Sequence, residues 1–354
     1  VPGNATRWYA TREQVKAAVG IAGADLDALI DQYIESASAD TEKLLASRRF
    51  IPYIATHVYV VQRCEAPSQP NVLYVEDLLS VTSIKIDEDA DGLFSDETGL
   101  AATDYELLPR NAPSMGTPYN AIELTSYGTK AFARGSRVQV IGTHGYAQDT
   151  EAAGALAEAD DGVELALNVT DSSLIGVGDT ILIGAEQMFV SAKALLDTTA
   201  TLNGALAANK ATTTVAVNTG TLIKPGEVIT VDSERMLIES ISGNNLTVQR
   251  AYDGTVLASH LTATAVFAPR TLTVVRPVNG TAAATHADAT AISRYAPPAD
   301  IVEYVRASAI AHHQQGKSGW TGVIGGEEGA VETRMFGLWS MREKLRVKYG
   351  KVAA

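Results

Sequence analysis

At 46% hydrophobic and 19% charged residues, the 354-residue chain has enough apolar mass for sizeable packed cores, and no run of about 18 apolar residues suggests a membrane span. A net charge of -13 argues against gripping nucleic acid by phosphate neutralisation, and a single cysteine, Cys64, leaves no internal disulfide framework or cysteine zinc cluster. The opening VPGNATRWYATREQ has neither the basic start nor the apolar core of a signal peptide, so a protein folding in a reducing cytoplasm, with no export and no anchor, is expected.

In chain order, TREQ at 11–14 reads as a capping box and predicts a short helix. From Asp25, apolar Leu26, Leu29, Ile30, Tyr33, Ile34, Ala37, Leu44 and Leu45 keep helical spacing, and Pro52 bars its continuation, so a long amphipathic helix should end near residues 48–50. Five short strands are then expected: HVYVVQ, LLSVTSIKI, DYELLP, AIELT and RVQVIG, separated by turn-rich stretches such as APSQPN and RNAPSMGTP. Between the second and third lies DEDADGLFSDET, residues 87–98. Asp87, Asp89, Asp91 and Gly92 match the first half of a calcium loop, with alternating carboxylates able to converge on a hard cation. Position twelve is Thr98 rather than a bidentate glutamate, and strand patterns flank the loop. Calcium therefore stands against a solvated acidic hairpin, with no other cofactor expected.

The following 150 residues are nearly free of helical pattern and contain repeats. LIGVGDTILIGAEQMFV (174–190) aligns with LIKPGEVITVDSERMLI (222–238) at an offset of 48. LTVQRAYDGTVLASHLTATAV (246–266) aligns with LTVVRPVNGTAAATHADATAI (272–292) at an offset of 26, matching Arg250 with Arg276 and His260 with His286. With no His, Cys or carboxylate repeated beside them, these histidines are expected to tie a loop to its own repeat, not to hold a metal.

PPADIVEYVRASAIAHHQQ then restores helical spacing through Ile301, Val305 and Ala309 behind N-terminal prolines. The GKS after it is no phosphate loop, because Ala311 stands at the first glycine position, and adjacent His312 and His313 point to different sides of a helix. Six basic residues, Arg334, Arg342, Lys344, Arg346, Lys348 and Lys351, gather in the tail, where Met335, Leu338, Trp339, Leu345 and Tyr349 can form an apolar stripe. These features predict a partner-binding tail that orders on its partner, made of Met335, Leu338, Trp339, Arg342, Lys344, Leu345, Arg346, Lys348 and Tyr349. No nucleophile elbow, HExxH or other catalytic constellation occurs, so no enzyme is expected.

Set aside residues 148–295, and the order becomes capped helix, long helix ending in RRF, small strand set with VTSIKI, closing strand with Gly145 and Tyr146, then a proline-led helix. This order resembles the head-tail connector (adaptor) family of long-tailed bacteriophages over roughly 11–147 and 296–315. The resemblance implies an α+β chain: a helical bundle core with a small β part at 1–147 and 296–330. To this are added an inserted all-β repeat module at 148–295, absent from the compact members, and a basic partner-binding tail at 331–354. It implies a structural virion protein of the neck, assembled in the host cytoplasm as a ring, a dodecamer matching the portal. Its partners would be the portal protein, a tail-side completion or stopper protein and its own copies, with genomic DNA passing through without sequence-specific binding and no membrane involved. Arg48 and Arg49 would pair with acids of a neighbouring subunit. The alternative is a carbohydrate-binding or surface-attachment β-repeat protein with a helical oligomerisation part. An aromatic content of 6%, with no tryptophan in the repeats, speaks against it.

Overall fold

The computed structural model describes residues 7–61, 71–125, 130–317, 323–324, 331–332 and 336–350. The capping box is formed: Gln14 N donates to Thr11 Oγ1 and Thr11 N to Gln14 Oε1, starting α1 (Arg12–Val19), which Gly20 ends in the left-handed conformation. Ile30, Ile34 and Ala37 put one buried stripe along α2 (Asp27–Leu44), and Ala46 and Ser47, both at positive φ, turn the chain before residues 48–50. The five predicted strands are β1 (Tyr53–Val60), β2 (Val72–Ile86), β3 (Tyr105–Leu108), β4 (Tyr119–Leu124) and β5 (Arg137–His144), with a single turn α3 (Ala112–Met115) before β4. They pair antiparallel in the order β1-β5-β2-β4-β3. Leu78, Ile84, Ile122, Val138 and Val140 form the apolar core on one face.

Ten further strands build a second antiparallel sheet: β6 (Thr150–Ala155), β7 (Ala166–Asn168), β8 (Thr180–Ile183), β9 (Glu186–Thr201), β10 (Thr214–Ala216), β11 (Val228–Val231), β12 (Glu234–Ser242), β13 (Asn245–Gln249), β14 (Ala265–Val275) and β15 (Ala291–Tyr295). Then come α4 (Ala299–Lys317), the two-stranded β16 (Val323–Ile324) with β17 (Val331–Glu332), and α5 (Phe336–Tyr349). The expectation of a helical bundle core with a small β part is overturned: fifteen strands in sheets of five and ten carry the fold, and the helices are the minority. The physical reason lies in the repeats, whose alternating Val, Ile, Leu and Met residues supply two separate apolar cores, more than the narrow stripes of the helices can offer.

The two repeats are nested. The first-half copies run in the order first, second, while the second-half copies run second, first, and the sheet pairs the halves accordingly. The inner copy, residues 196–268, has the strand order β10-β13-β12-β11-β14-β9. The outer copy, 150–194 with 271–295, has the order β7-β14-β9-β8-β15-β6. Registers coincide: Val215 faces Leu246 in the inner copy as Leu167 faces Leu272 in the outer. The cores match position for position, Ile229 with Ile181, Met236 with Met188, Leu246 with Leu272, Val266 with Ile292, yet remain distinct clusters. The long strands β9 and β14 each serve both copies, and Ala194 pairs with Thr271, so the two ends of the inner copy lie side by side.

The chain divides into two compact units, Val1–Leu45 with Thr150–Val278 and Ala282–Ala354, and Ala46–Asp149 with Asn279–Thr281. The helices thus share a unit with the nested repeats, whereas the sequence groups them with the strands of 53–144. Within that unit Trp8 meets the Phe189 ring edge-on at 5.4 Å, and Arg12 N donates to Val177 O at 3.0 Å. Gly178 is required there: its φ is +106° and a Cβ would lie 2.4 Å from the Trp8 ring.

In the five-stranded unit His144 is fully buried, 4.3 Å from the His57 ring, with neither ring nitrogen partnered among the described residues. Burial first, and the neighbouring His57 second, push its pKa down to about 4. The unfolded chain therefore takes up the proton more readily, and stability should fall as pH drops from about 6.5 towards 4, flattening below that. Urea midpoints measured across this range should shift less in His144→Phe than in wild type; equal slopes would assign the acid sensitivity elsewhere.

Candidate functional site

Each repeat copy is closed by a buried carboxylate. In the inner copy Glu234, at the start of β12, accepts from Arg250 Nε at 2.7 Å and Nη2 at 2.8 Å, from Ala251 N at 2.9 Å, from Ala258 N at 3.0 Å, and meets His260 Nε2 at 2.9 Å. In the outer copy Glu186 makes the equivalent contacts with Arg276 Nε at 2.9 Å and Nη2 at 2.6 Å, Ala284 N at 2.9 Å and His286 Nε2 at 3.1 Å. The fourth member differs: Asp232 bonds the inner histidine, and Asp160 bonds the outer arginine. Burial alone would raise the Glu234 pKa, but Arg250, His260 and the two amides outweigh it and hold the group down at about 2. Both oxygens of each carboxylate accept from buried donors, so the networks pin the loops 250–260 and 276–286 onto the hairpins.

The histidines do tie loops to their own repeats, as the sequence predicts, but each has a repeated carboxylate partner that the sequence hides. Glu186 lies 100 residues from His286, and the signal that finds it is the reversed order of the two offsets. A second equivalent pair diverges. Burial pushes Asp179 up to about 6, with the nearest Arg294 nitrogen at 3.8 Å, while the same burial at Glu227 is outweighed by a bidentate Arg270 at 2.8 and 2.6 Å, which lowers its pKa. A cleft of about 850 Å³ is lined by α1 and the repeat loops, but its Arg12, Lys16, Lys193 and Arg235 are ion-paired to Asp31, Asp27, Glu13 and Asp253.

Two acidic clusters bring one carboxylate oxygen from each of three residues within 4.8 Å of one another: Asp87, Asp89 and Asp91, and Asp160, Asp161 and Glu164. Either can hold a metal ion by that spacing, but Asp160 already carries the Arg276 guanidinium.

Arg48 grips Asp77 through Nε at 2.7 Å and Nη2 at 3.0 Å and lies over the Tyr146 ring, while Arg49 lies over Tyr53 at 4.0 Å. Both arginines therefore have partners inside their own unit, where the sequence sends them to a neighbour. Of the predicted tail residues, Met335 lies outside the described residues. Leu345 and Tyr349 are buried and α5 packs on α4, so this part of the tail is ordered within its own chain, contrary to ordering only on a partner. The Tyr349 hydroxyl donates to Asp300 Oδ1 at 2.8 Å and Lys348 pairs with Asp300 Oδ2 at 2.6 Å; these bonds lower the Asp300 pKa against the effect of burial. Leu338 is half-buried, and Arg342, Lys344 and Arg346 are exposed along with Trp339, 64% open to solvent.

Arg250→Ala strands a fully buried glutamate and should cost about 3–5 kcal/mol in urea denaturation, while Glu234→Leu with Arg250→Met should recover most of the loss. A loss below about 1 kcal/mol for Arg250→Ala would mean the pin carries little of the fold. No protein-family model matches the chain, and no curated protein matches it.

Proposed function

We propose that the chain is a non-catalytic structural protein of a bacteriophage neck, joining the portal of the head to the tail as an oligomeric ring around the DNA channel. The observation that supports this best is the open edge of β1. It has one strand neighbour, β5, and its outward positions Ile54, Val58 and Val60 are 44%, 50% and 55% exposed. Apart from Ile54 N, which donates to Asn279 O, that edge pairs with no strand among the described residues, and YIATHVYV contains neither Lys nor Pro to block it. An apolar edge left open beyond the Ile54 contact is an aggregation hazard in a monomer and an asset in a ring, where a heterologous contact repeated about an axis closes on itself.

The order of elements, with capped and long helices before the small sheet and a proline-led helix at the end, supports the neck assignment, while the nested repeats exceed what compact adaptors carry. The partners proposed are the portal protein, a tail-side completion or stopper protein and further copies of the chain, with twelve the number that matches the portal. An acidic chain suits a channel that passes DNA without holding it, because attraction to phosphates would retain the strand. The exposed Trp339, Arg342, Lys344 and Arg346 of α5 offer an aromatic anchor and steering charge for an acidic partner surface. Assembly in the host cytoplasm and residence in the virion neck belong to the same proposal.

Light scattering and negative-stain imaging, alone and with portal, should give one ring stoichiometry. Val58→Glu with Val60→Glu should reduce ring formation more than tenfold while leaving the circular dichroism spectrum unchanged. A wild-type chain that stays monomeric and ignores portal would overturn the proposal; a double variant that forms rings normally would move the interface away from β1.

A further inference from the structure

The loop after β2 gathers carboxylates that belong neither to the repeats nor to the proposed ring interface. Asp87 is 4% exposed, and its Oδ1 is buried with no hydrogen-bond donor among the described residues, while Oδ2 accepts from Gly92 N at 3.1 Å. A buried carboxylate oxygen without a donor is costly, and native structures satisfy such atoms with a protein group, a water or an ion. The same carboxylate converges with those of Asp89 and Asp91 to within 4.8 Å, and none of the three forms an ion pair with a Lys or Arg among the described residues. Of the neighbouring cations, Lys85 Nζ donates to Phe94 O, Lys130 pairs with Glu88, and the Arg137 guanidinium lies against Gly92. The contrast with the second acidic cluster is direct, since there the Arg276 guanidinium already supplies the positive charge to Asp160.

We infer that Asp87, Asp89 and Asp91 bind a hard divalent cation, calcium. Oxygens bound at 2.3–2.6 Å from one ion lie up to about 5 Å apart, and the three carboxylates bring oxygens within 4.8 Å of one another. All-oxygen donors exclude a preference for zinc or copper, which favour imidazole and thiolate. Magnesium demands a near-ideal octahedron and gives up its waters reluctantly, whereas calcium accepts irregular sets completed by carbonyls and water. The backbone is already shaped for this: Ala90 and Gly92 are both at positive φ, which brings alternate carboxylates to one side of the loop. The absence of a bidentate glutamate at Thr98 places the site among weak binders, with a Kd of about 0.1–1 mM.

The test is calorimetry of the intact, chelator-treated protein with calcium chloride, repeated with magnesium chloride, alongside thermal melts. One calcium per chain in the stated range, a melting point raised at about 10 mM calcium by several degrees, and at least tenfold weaker magnesium binding are expected. Asp89→Ala with Asp91→Ala should abolish both effects. Asp87→Asn should lose the calcium response yet melt, without calcium, at or above the wild-type temperature, because the buried charge is gone. A folded wild type with neither heat nor a melting shift at that calcium concentration would overturn the site. So would a calcium response that survives the double substitution.

Discussion

A carboxylate buried under four donors in the outer copy and five in the inner is what lets one repeat sit inside another. Glu186 joins Arg276 and His286 across 90 and 100 residues, whereas Glu234 joins Arg250 and His260 across 16 and 26. The difference in loop closure alone is about 1.5 kcal/mol against the outer copy. The cost falls once the inner copy has folded, because its compact body holds β9 and β14 side by side and so brings the outer halves together. This topology implies a folding order from inside outward, with local contacts of the inner copy preceding the long-range contacts of the outer. Buried ion pairs add little net stability over apolar residues, so their value here is registry: a mismatched half would leave a glutamate or an arginine stranded.

The same logic explains why the two copies diverge where they do. Positions that carry the pin keep Glu, Arg, Ala and His in both copies, since each supplies a donor or acceptor that another buried group needs. At Asp179 and Glu227 the supporting arginine differs in reach, and the shorter acid, left 3.8 Å from Arg294, is driven towards its neutral form by burial. The five-stranded unit obeys a different rule, with tilted aromatic and histidine rings in contact between β1 and β5 beside an apolar core and no buried ion network of that size among the described residues.

Local structure was legible from local chemistry. TREQ states its own cap, the spacing of Ile30, Ile34 and Ala37 states a helix face, and alternation in RVQVIG and SVTSIKI states strands. The relations between distant segments escaped. Both offsets are plain in the sequence, but their reversed order had to be read as nesting before Glu186 could be assigned to His286, and without it the histidines look solitary. The balance of classes escaped because helical periodicity is conspicuous over one segment while short strands gain weight only when summed into a sheet. The tail stripe was legible only in part: Trp339 comes one residue after Leu338, a turn of roughly 100°, so the residues that face α4 and the one that faces water share a run of sequence but not a face.

The distribution of satisfied and unsatisfied groups then indicates where function has to act. Deep inside the repeat unit the large ionic groups answer one another, and a reaction there would have to break a network before it could use any member. At the surface the balance reverses. Among the described residues, the β1 edge exposes apolar side chains and pairs with no second strand, α5 exposes an indole among exposed cations, and the loop at Asp87 gathers negative charge without a counter-ion. Under the functions proposed above, these features would meet a strand, an acidic surface and a hard cation. The nested pins close the interior of the repeat unit, so the groups still open to a complement lie on the surface, at β1, α5 and the loop at Asp87.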